Sequence, residues 1–252
     1  MRFKNLNILV TGATGGIGRA IAHAFAAEGG RVMVADLPDG PVEALVAELG
    51  DGAASFALDV TDEAQWIAAM DAMEARMGGI DIIVNNAGFF QPNIPFEEMP
   101  LDLWRRHFAV NADGAFLGCK HAILRMKGRG GGSIVNIGSG MSITANPMAS
   151  AYCGSKAALL MTTRTAAASA GRYNIRVNAV LPGAVDTAML MGNLSGDDTP
   201  EDYVARMASY SPMGRLASVQ DIAHGVLLLA DPASAAITGI FLPVDCGNMP
   251  GA

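Results

Sequence analysis

A chain of 252 residues, 51% hydrophobic and 16% charged, is long enough to bury one large core. Its net charge of -7, with no basic cluster, argues against a nucleic-acid-binding surface, and no run reaches the ~18 apolar residues of a membrane span. The three cysteines, Cys119, Cys153 and Cys246, show neither disulfide pairing nor metal-ligand spacing, and the short mixed N-terminus is unlike a signal peptide, so a reducing cytoplasm is expected.

Short apolar runs alternate with segments of helical period, the pattern of βα units around a parallel sheet. Strands are expected over 7–10, 31–35, 54–58, 80–85, 133–137, 175–180 and 240–244, with helices over 17–27, 63–77, 101–126, 151–171 and 219–229. Pro100 and Ser218 are recognisable helix starts. The expected fold is α/β: one Rossmann-type, doubly wound parallel sheet of about seven strands, helices on both faces, forming a single domain over residues 1–252. The glycines of 128–132 read as a flexible turn. The segment 188–212, with Gly192, Gly196, Asp197, Asp198 and Pro200, breaks the βα rhythm where a substrate lid would be useful.

Directly after the first expected strand, Thr11-Gly12-Ala13-Thr14-Gly15-Gly16-Ile17-Gly18 opens the first helix. Gly12, Gly16 and Gly18 would let the backbone turn tightly and approach a ligand, and a helix N-terminus offers unpaired N–H groups to a pyrophosphate. Asp36, at the end of the second strand, is placed to accept hydrogen bonds from a ribose diol, and its charge would repel a 2′-phosphate. Gly15 and Leu37, the neighbours best placed to offset that charge, are not basic. NAD is therefore expected rather than NADP, the plainer reading of Asp36 being a solvated strand-end carboxylate. Arg19 starts the helix and is expected to pack or pair on its surface.

Within Tyr152-Cys153-Gly154-Ser155-Lys156 the phenol and the ammonium stand at i and i+4 on one helix face. A fixed cation beside a tyrosine favours the phenolate and would draw its value from near 10 toward neutrality, where proton transfer is efficient. Ser139 lies upstream in a small-residue stretch. Asn111 sits in a helical pattern just before Asp113 and Gly114, poor interior helix residues that suggest a local break. Taken singly, each has a plain alternative: a half-buried ring beside a snorkelling lysine, a strand-end serine, a tolerated polar residue.

Together these residues resemble the short-chain dehydrogenase/reductase family in its form of roughly 250 residues. The resemblance runs from about Asn5 to Asp245 and rests on Thr11 to Gly18, Asp59-Val60, Asn85-Asn86-Ala87-Gly88, Asn111, Ser139, Tyr152 to Lys156, and Pro182-Gly183 with Thr187. It implies an NAD-dependent oxidoreductase that interconverts a secondary alcohol and its ketone. Ile17 and Leu37 would join the glycine loop and Asp36 at the dinucleotide. Asp59 would reach the adenine amino group, with Val60 against the ring, and Asn86, Ala87 and Gly88 would run along the cofactor. Pro182, Gly183, the backbone of Val185 and the hydroxyl of Thr187 would hold the nicotinamide end. Tyr152 would exchange the substrate proton, Lys156 would lower its pKa and hold the nicotinamide ribose, and Ser139 would bind the substrate oxygen. Asn111 would support a water linking Lys156 to solvent. Relatives commonly form tetramers, so a homotetramer is implied. Cys246 departs from the family, which usually has glycine there, and leaves the local backbone geometry in question.

Among 15 methionines, Met141, Met148, Met189 and Met191 fall where the family places the substrate, and Phe89 and Phe90 follow the expected cofactor-binding turn. They suggest an adaptable apolar pocket for a hydrophobic or cyclic secondary alcohol, the alternative being that methionine fills the core. His23, His107, His121 and His224 show no metal-like grouping and read as surface or core residues; no metal is expected. Two competing readings are an NADPH-dependent 3-oxoacyl-carrier-protein-type reductase and a non-catalytic nucleotide-binding scaffold. Asp36 and the net acidity weigh against the first, and the intact Asn111, Ser139, Tyr152 and Lys156 against the second.

Overall fold

A period of two in the strands sends successive side chains to opposite faces of a sheet buried on both sides. All five residues of β1 (Asn7–Thr11) are buried, with Ile8 and Val10 in one hydrophobic layer and Leu9 in the other. The computed structural model describes residues 1–194 and 199–248. After β1 come α1 (Gly16–Ala27), β2 (Arg31–Asp36), α2 (Val42–Leu49), β3 (Ala54–Ala57), α3 (Glu63–Met77) and β4 (Ile82–Asn85). The second half comprises α4 (Leu101–Phe108), α5 (Gly114–Met126), β5 (Gly132–Ile137), α6 (Ser150–Ala170), β6 (Ile175–Pro182), α7 (Ala188–Met191), α8 (Pro200–Ser209), α9 (Val219–Ala230) and β7 (Phe241–Val244).

All strand pairs are parallel, in the order β3-β2-β1-β4-β5-β6-β7. The direction of winding reverses between β1 and β4, which opens a crevice at their carboxyl ends. One layer is packed by α1, α2 and α9 through Ile21, Phe25, Leu45, Ile222 and Val226. The other is packed by α3, α5 and α6 around Trp66, Met70, Met73, Met126 and Ala167. Met33, Met70, Met73, Met77 and Met126 are all buried, so these methionines do fill the core. No helix among the described residues is long and apolar enough to cross a membrane.

Several elements differ from the sequence-based expectation. The helix expected over 101–126 is α4, a wider π-helical turn over Ala109–Asp113, and α5; the Gly114 N–H reaches back to the Ala109 carbonyl. Asp113 and Gly114 mark the break as their propensities suggested. The strand expected to end at Val180 continues to Pro182, whose missing N–H is tolerated at a strand terminus. α2, unforeseen, follows Pro41. The segment 188–212 carries α7 and α8, with Thr199 capping α8 by accepting from the Asp202 N–H. Residues 195–198, including Gly196, Asp197 and Asp198 of the expected lid, lie outside the described residues. Ser218, expected as a helix start, caps α9 in a capping box closed by Asp221.

Candidate active site

The carboxyl ends of β1 and β4 are fastened to each other. The Asn86 Nδ2 donates to the Thr11 and Gly12 carbonyls at 2.9 Å each, and the Thr11 Oγ1 accepts from the Asn86 and Ala87 N–H groups at 3.1 Å each. Gly12 has φ +60°, and a Cβ there would stand 2.8 Å from the Ala87 Cα. A Cβ on Gly18 would fall 2.2 Å from the Gly12 carbonyl oxygen. These two glycines thus answer to packing. Gly15 and Gly16 are exposed, and the N-terminus of α1 carries no side-chain cap, so its N–H groups are left for a ligand. A Cβ on Gly16 would come 3.1 Å from the Thr187 Cγ2, which places the loop after β6 beside this helix start. Ile17 is half-buried on the first turn, packed against the α1 and α9 layer.

Asp36 closes β2. Its Oδ2 accepts from the Thr14 N–H at 2.9 Å and the Thr14 hydroxyl at 2.6 Å, and its Oδ1 from the Leu37 N–H at 2.9 Å. Leu37 is exposed, and Arg19 is paired with Glu48 on the surface of α1 and α2. The Asp59 Oδ1 is turned into its own loop, accepting from the N–H and hydroxyl of Thr61. Val60 is buried and lines a depression with Thr11, Ala87 and Val110.

The first turns of α6 bring Tyr152 and Lys156, 8% and 3% exposed, under the end of β5. The Lys156 Nζ donates to the Ile137 carbonyl at 2.7 Å and lies 5.8 Å from the centre of the Tyr152 ring. The ring of Tyr152 meets that of Phe90 at 4.3 Å, and the Ser139 side chain lies near its phenol. Here one expectation is corrected. Burial pushes the phenol up to about 12, with the Ser139 side chain opposing it, while burial pushes Lys156 down to about 8. Desolvation outweighs the neighbouring cation, which is itself engaged by a carbonyl. The Ser139 Oγ also accepts from the Met141 N–H at 3.1 Å, and the Ser139 N–H donates to Ser142, which fixes the turn after β5.

Asn111, fully buried in the π-helical turn, joins the same cluster. Its Oδ1 accepts from the Phe89 N–H at 2.8 Å, and its Nδ2 donates to the Phe89 carbonyl at 2.9 Å and the Ser155 Oγ at 3.0 Å. Both amide hydrogens are used. The side chain therefore suspends the strand exit and has only the remaining lone pair of Oδ1 to offer a water. His107, unforeseen as a site residue, does similar work: its Nε2 accepts from the Gln91 N–H at 3.2 Å, opposite an Nδ1 contact with the Leu103 carbonyl. Burial holds its pKa below the ordinary imidazole value.

Three segments meet above Tyr152. Ile94 bridges Ala149, with its N–H donating to the Met148 carbonyl at 3.2 Å, and the Asn93 Nδ2 donates to the Asn193 carbonyl at 3.3 Å. Phe90 and Met141 are half-buried, while Met148, Met189 and the unforeseen Ile143 are exposed. The Thr187 hydroxyl caps α7 and donates to the Val185 carbonyl; Val185 is buried and bridges Ala217. Gly183, after Pro182, lies so close to Asp245 that a Cβ would stand 2.7 Å from it. Cys246 adopts the left-handed conformation, φ +58°, that the glycine of the resembled family would take without strain. No cluster of metal-ligating side chains occurs among the described residues.

These features fit a nicotinamide dinucleotide. The uncapped helix start offers donors for a pyrophosphate, and Asp36, bonded to Thr14 of the same loop, stands beside it. At the other end, a Cβ on Gly88 would sit 3.4 Å from the Asn111 Oδ1 and 3.6 Å from the Lys156 Nζ, so the bare glycine keeps the approach to the ammonium open.

The family profile described as enoyl-(acyl carrier protein) reductase matches residues 12–248. The chain is a short-chain dehydrogenase/reductase. It is 36% identical over 241 residues, 95% of its length and 94% of the relative's, to cis-4-hydroxycyclohexanecarboxylate dehydrogenase of Sinomonas cyclohexanicum. It is 39% identical to 2,5-dichloro-2,5-cyclohexadiene-1,4-diol dehydrogenase of Sphingobium indicum, over 95% of both chains. Among solved structures, 3-ketoacyl-(acyl-carrier-protein) reductase from Brucella melitensis complexed with NADH superposes with a TM-score of 0.91 at 29% identity, covering 98% of this chain and 99% of that one. As a member of this family the protein is a nicotinamide-dependent oxidoreductase of the dehydrogenase type.

Proposed function

We propose that this dehydrogenase uses NAD to interconvert an uncharged, hydrophobic or cyclic secondary alcohol and its ketone. The feature that supports the reading is the Phe90 ring packed at 4.3 Å on Tyr152, with the Ser139 side chain near the phenol and Met141, Met148 and Met189 on the segments that follow β5 and β6. A flat apolar wall against the proton-transferring group suits a ring or a short hydrocarbon better than a polyol. The lining segments 89–94, 140–149 and 184–194 contain no lysine or arginine and one acid, Asp186. Within these segments no side chain would neutralise a carboxylate, the nearby Arg106 guanidinium being stacked on Phe89 and Arg206 of the lid lying over Tyr203, so the proposed substrate is closer to the diol of the Sphingobium relative's name than to the hydroxy acid of the Sinomonas relative's.

Bound NAD would supply a positively charged nicotinamide ring whose C4 accepts the hydride from the alcohol carbon. Ser139 holds the substrate oxygen and Tyr152 exchanges its proton, within reach of one another as that requires. A phenol at about 12 in the free protein keeps its proton near neutrality. Ketone reduction, in which Tyr152 donates, is thus favoured near pH 7, and oxidation, in which it must first be deprotonated, rises toward alkaline pH. Lys156 places its cation beneath the site, and Asn111 with His107 holds the Phe89 to Gln91 segment. Gly12, Gly16, Ile17, Gly18, Asp36, Leu37, Asp59, Val60, Asn86, Ala87 and Gly88 form the proposed adenosine and pyrophosphate side, and Pro182, Gly183, Val185 and Thr187 the nicotinamide side. The 188–212 segment serves as lid, and a cytoplasmic homotetramer is the proposed assembly.

The likeness to the Brucella reductase favours a second reading, reduction of a carrier-protein-linked ketone. Asp36 at the end of β2 opposes the NADPH such an enzyme would be expected to use. The test is an NAD-reduction screen over cyclohexanol, cyclohexanediols, 4-hydroxycyclohexanecarboxylate, sugar alcohols and acyl thioester ketones, with Tyr152→Phe as control. Turnover of the neutral cyclic alcohols, falling about 1,000-fold or more in Tyr152→Phe, is expected. Preference for the carboxylate, or strong NADPH dependence, would reject the proposal.

A further inference from the structure

His107 is fully buried in the last turn of α4, where an imidazole needs partners for both ring nitrogens. Its Nδ1 lies 2.9 Å from the Leu103 carbonyl, one turn back, and so carries the ring hydrogen. That leaves Nε2 as an acceptor, 3.2 Å from the Gln91 nitrogen, whose N–H donates to it. Further along the same helical run, Asn111 takes both backbone groups of Phe89, the N–H on Oδ1 at 2.8 Å and the carbonyl on Nδ2 at 2.9 Å. The segment after β4 is thus gripped at two alternate residues, with Phe90 alone between them. The Phe89 ring is held as well, with the Arg106 guanidinium 4.3 Å over its centre and the His107 ring at 4.7 Å. Gly88, exposed and without a side chain, would let this segment swing if the grips were absent.

We infer that His107 is a positioning residue for substrate choice: by accepting the Gln91 N–H it fixes the Phe90 ring against Tyr152, and so sets the preference for a ring-shaped alcohol over an open-chain one. The inference rests on the function proposed above, in which the Phe90 wall faces the substrate. The Phe90 and Tyr152 rings meet at 4.3 Å, so a shift of the Phe90 backbone changes the face on which a bound ring would rest. An open chain can bend to follow such a shift, whereas a ring cannot. A phenylalanine in place of His107 would fill its space but offer no acceptor. Gln91 is itself exposed, so water would then take its N–H and the second grip would be lost. Asn111 would still hold Phe89, which leaves the groups around Tyr152 and Lys156 in place.

His107→Phe removes the acceptor and keeps an aromatic ring against Phe89; His107→Gln restores an acceptor oxygen near the position of Nε2. Initial rates of NAD reduction with cyclohexanol and with 2-hexanol, equal in carbon number and different in shape, read KM and kcat for each protein. His107→Phe should raise KM for cyclohexanol about fivefold with kcat within about twofold, and leave KM for 2-hexanol and the NADH dissociation constant within about twofold. His107→Gln should stay within about twofold of the parent throughout. An unchanged KM for cyclohexanol in His107→Phe, an equal rise for both alcohols, or an equal loss in His107→Gln overturns the inference. Phe90→Ala separates the two levels. If it lowers the preference for cyclohexanol while His107→Phe does not, only the role of His107 falls; if it too leaves the preference unchanged, the Phe90 wall does not select the substrate and both readings fall. Should melting curves show His107→Phe unfolded, His107→Met decides by the same measurement.

Discussion

Replacing Lys156 by methionine should make the ligand-free protein more stable while abolishing its turnover. Lys156 is 3% exposed, and burial moves its ammonium from 10.5 to about 8. At about 1.4 kcal/mol for each tenfold change in proton affinity, the folded state holds that charge at a cost of roughly 3 kcal/mol near neutral pH. Methionine keeps the length and the apolar stem but leaves the Ile137 carbonyl without its 2.7 Å donor, which costs about 1–2 kcal/mol. The net gain is about 1–2 kcal/mol, or about 2–8 °C in melting temperature for a chain of this size.

The sign of the pH dependence follows from the direction of the shift. Because the folded value is lowered, the unfolded chain binds more protons between about pH 8 and 10.5. The destabilisation is complete below pH 8, shrinks as pH rises, and is gone above 10.5. Below pH 10 the Tyr152 phenol keeps its proton in both states and does not interfere. Urea unfolding of both proteins at pH 7 and pH 9.5 should therefore show Lys156→Met ahead at pH 7 and the gap narrowing at 9.5. A variant less stable than the parent at pH 7, or a gap that widens with pH, would refute the assignment of a buried, strained cation. The outcome expected is the trade of stability for function that active sites make.

His107 should show the acidic counterpart. Its folded pKa is lowered by burial, so the stability of its neutral form is complete above the ordinary value near 6.5 and is lost as pH falls toward the folded one. The advantage of the parent over His107→Gln in urea unfolding should shrink between pH 7.5 and 5.5, and a constant or growing advantage would contradict it. Cys246→Gly should raise the urea midpoint by about 0.5–1 kcal/mol equivalent at unchanged slope, because a left-handed non-glycine residue costs about 1–3 kcal/mol and glycine's extra freedom when unfolded returns part of that. An unmoved or lower midpoint would mean that the cysteine side chain compensates for its backbone.

The residues legible in the sequence were those whose position along a βα unit already says where they stand. Asp36 ends a strand and Asn86, Ser139 and Gly183 each follow one, and the carboxyl end of a parallel strand is where such a sheet binds ligands. Even the π-helical turn at Asn111 left a trace in Asp113 and Gly114. What stayed hidden was set by distance in the fold. The Asn86 clamp on Thr11, the Thr14 bond to Asp36 and the His107 bond to Gln91 join residues 16 to 75 positions apart, with no local signature. The balance at Tyr152 is hidden for the same reason: the spacing to Lys156 is written in one helix, whereas the burial that governs both groups is produced by β5, the Phe90 segment and the turn at Ser139.

The division of labour between these two kinds of contact bears on how one scaffold serves different alcohols. On the cofactor side the chain holds itself by backbone groups and glycines: Asn86 to the Thr11 and Gly12 carbonyls, Gly18 against Gly12, Gly183 against Asp245. A substitution there must fit atoms already in contact. On the substrate side the segments after β4, β5 and β6 are joined through Ile94 to Met148 and Asn93 to the Asn193 carbonyl, while Ile143, Met148 and Met189 are exposed and Met141 is half-buried. Their identities can change without disturbing the bonds that position Ser139 and Tyr152. Relatives 36% and 39% identical over nearly the whole chain can accordingly be named for a hydroxy acid and for a chlorinated diol. Exchanging side chains at 141, 143, 148 and 189 should therefore move substrate preference with NADH affinity held within about threefold; a parallel loss of NADH binding would show the two halves of the site to be mechanically one.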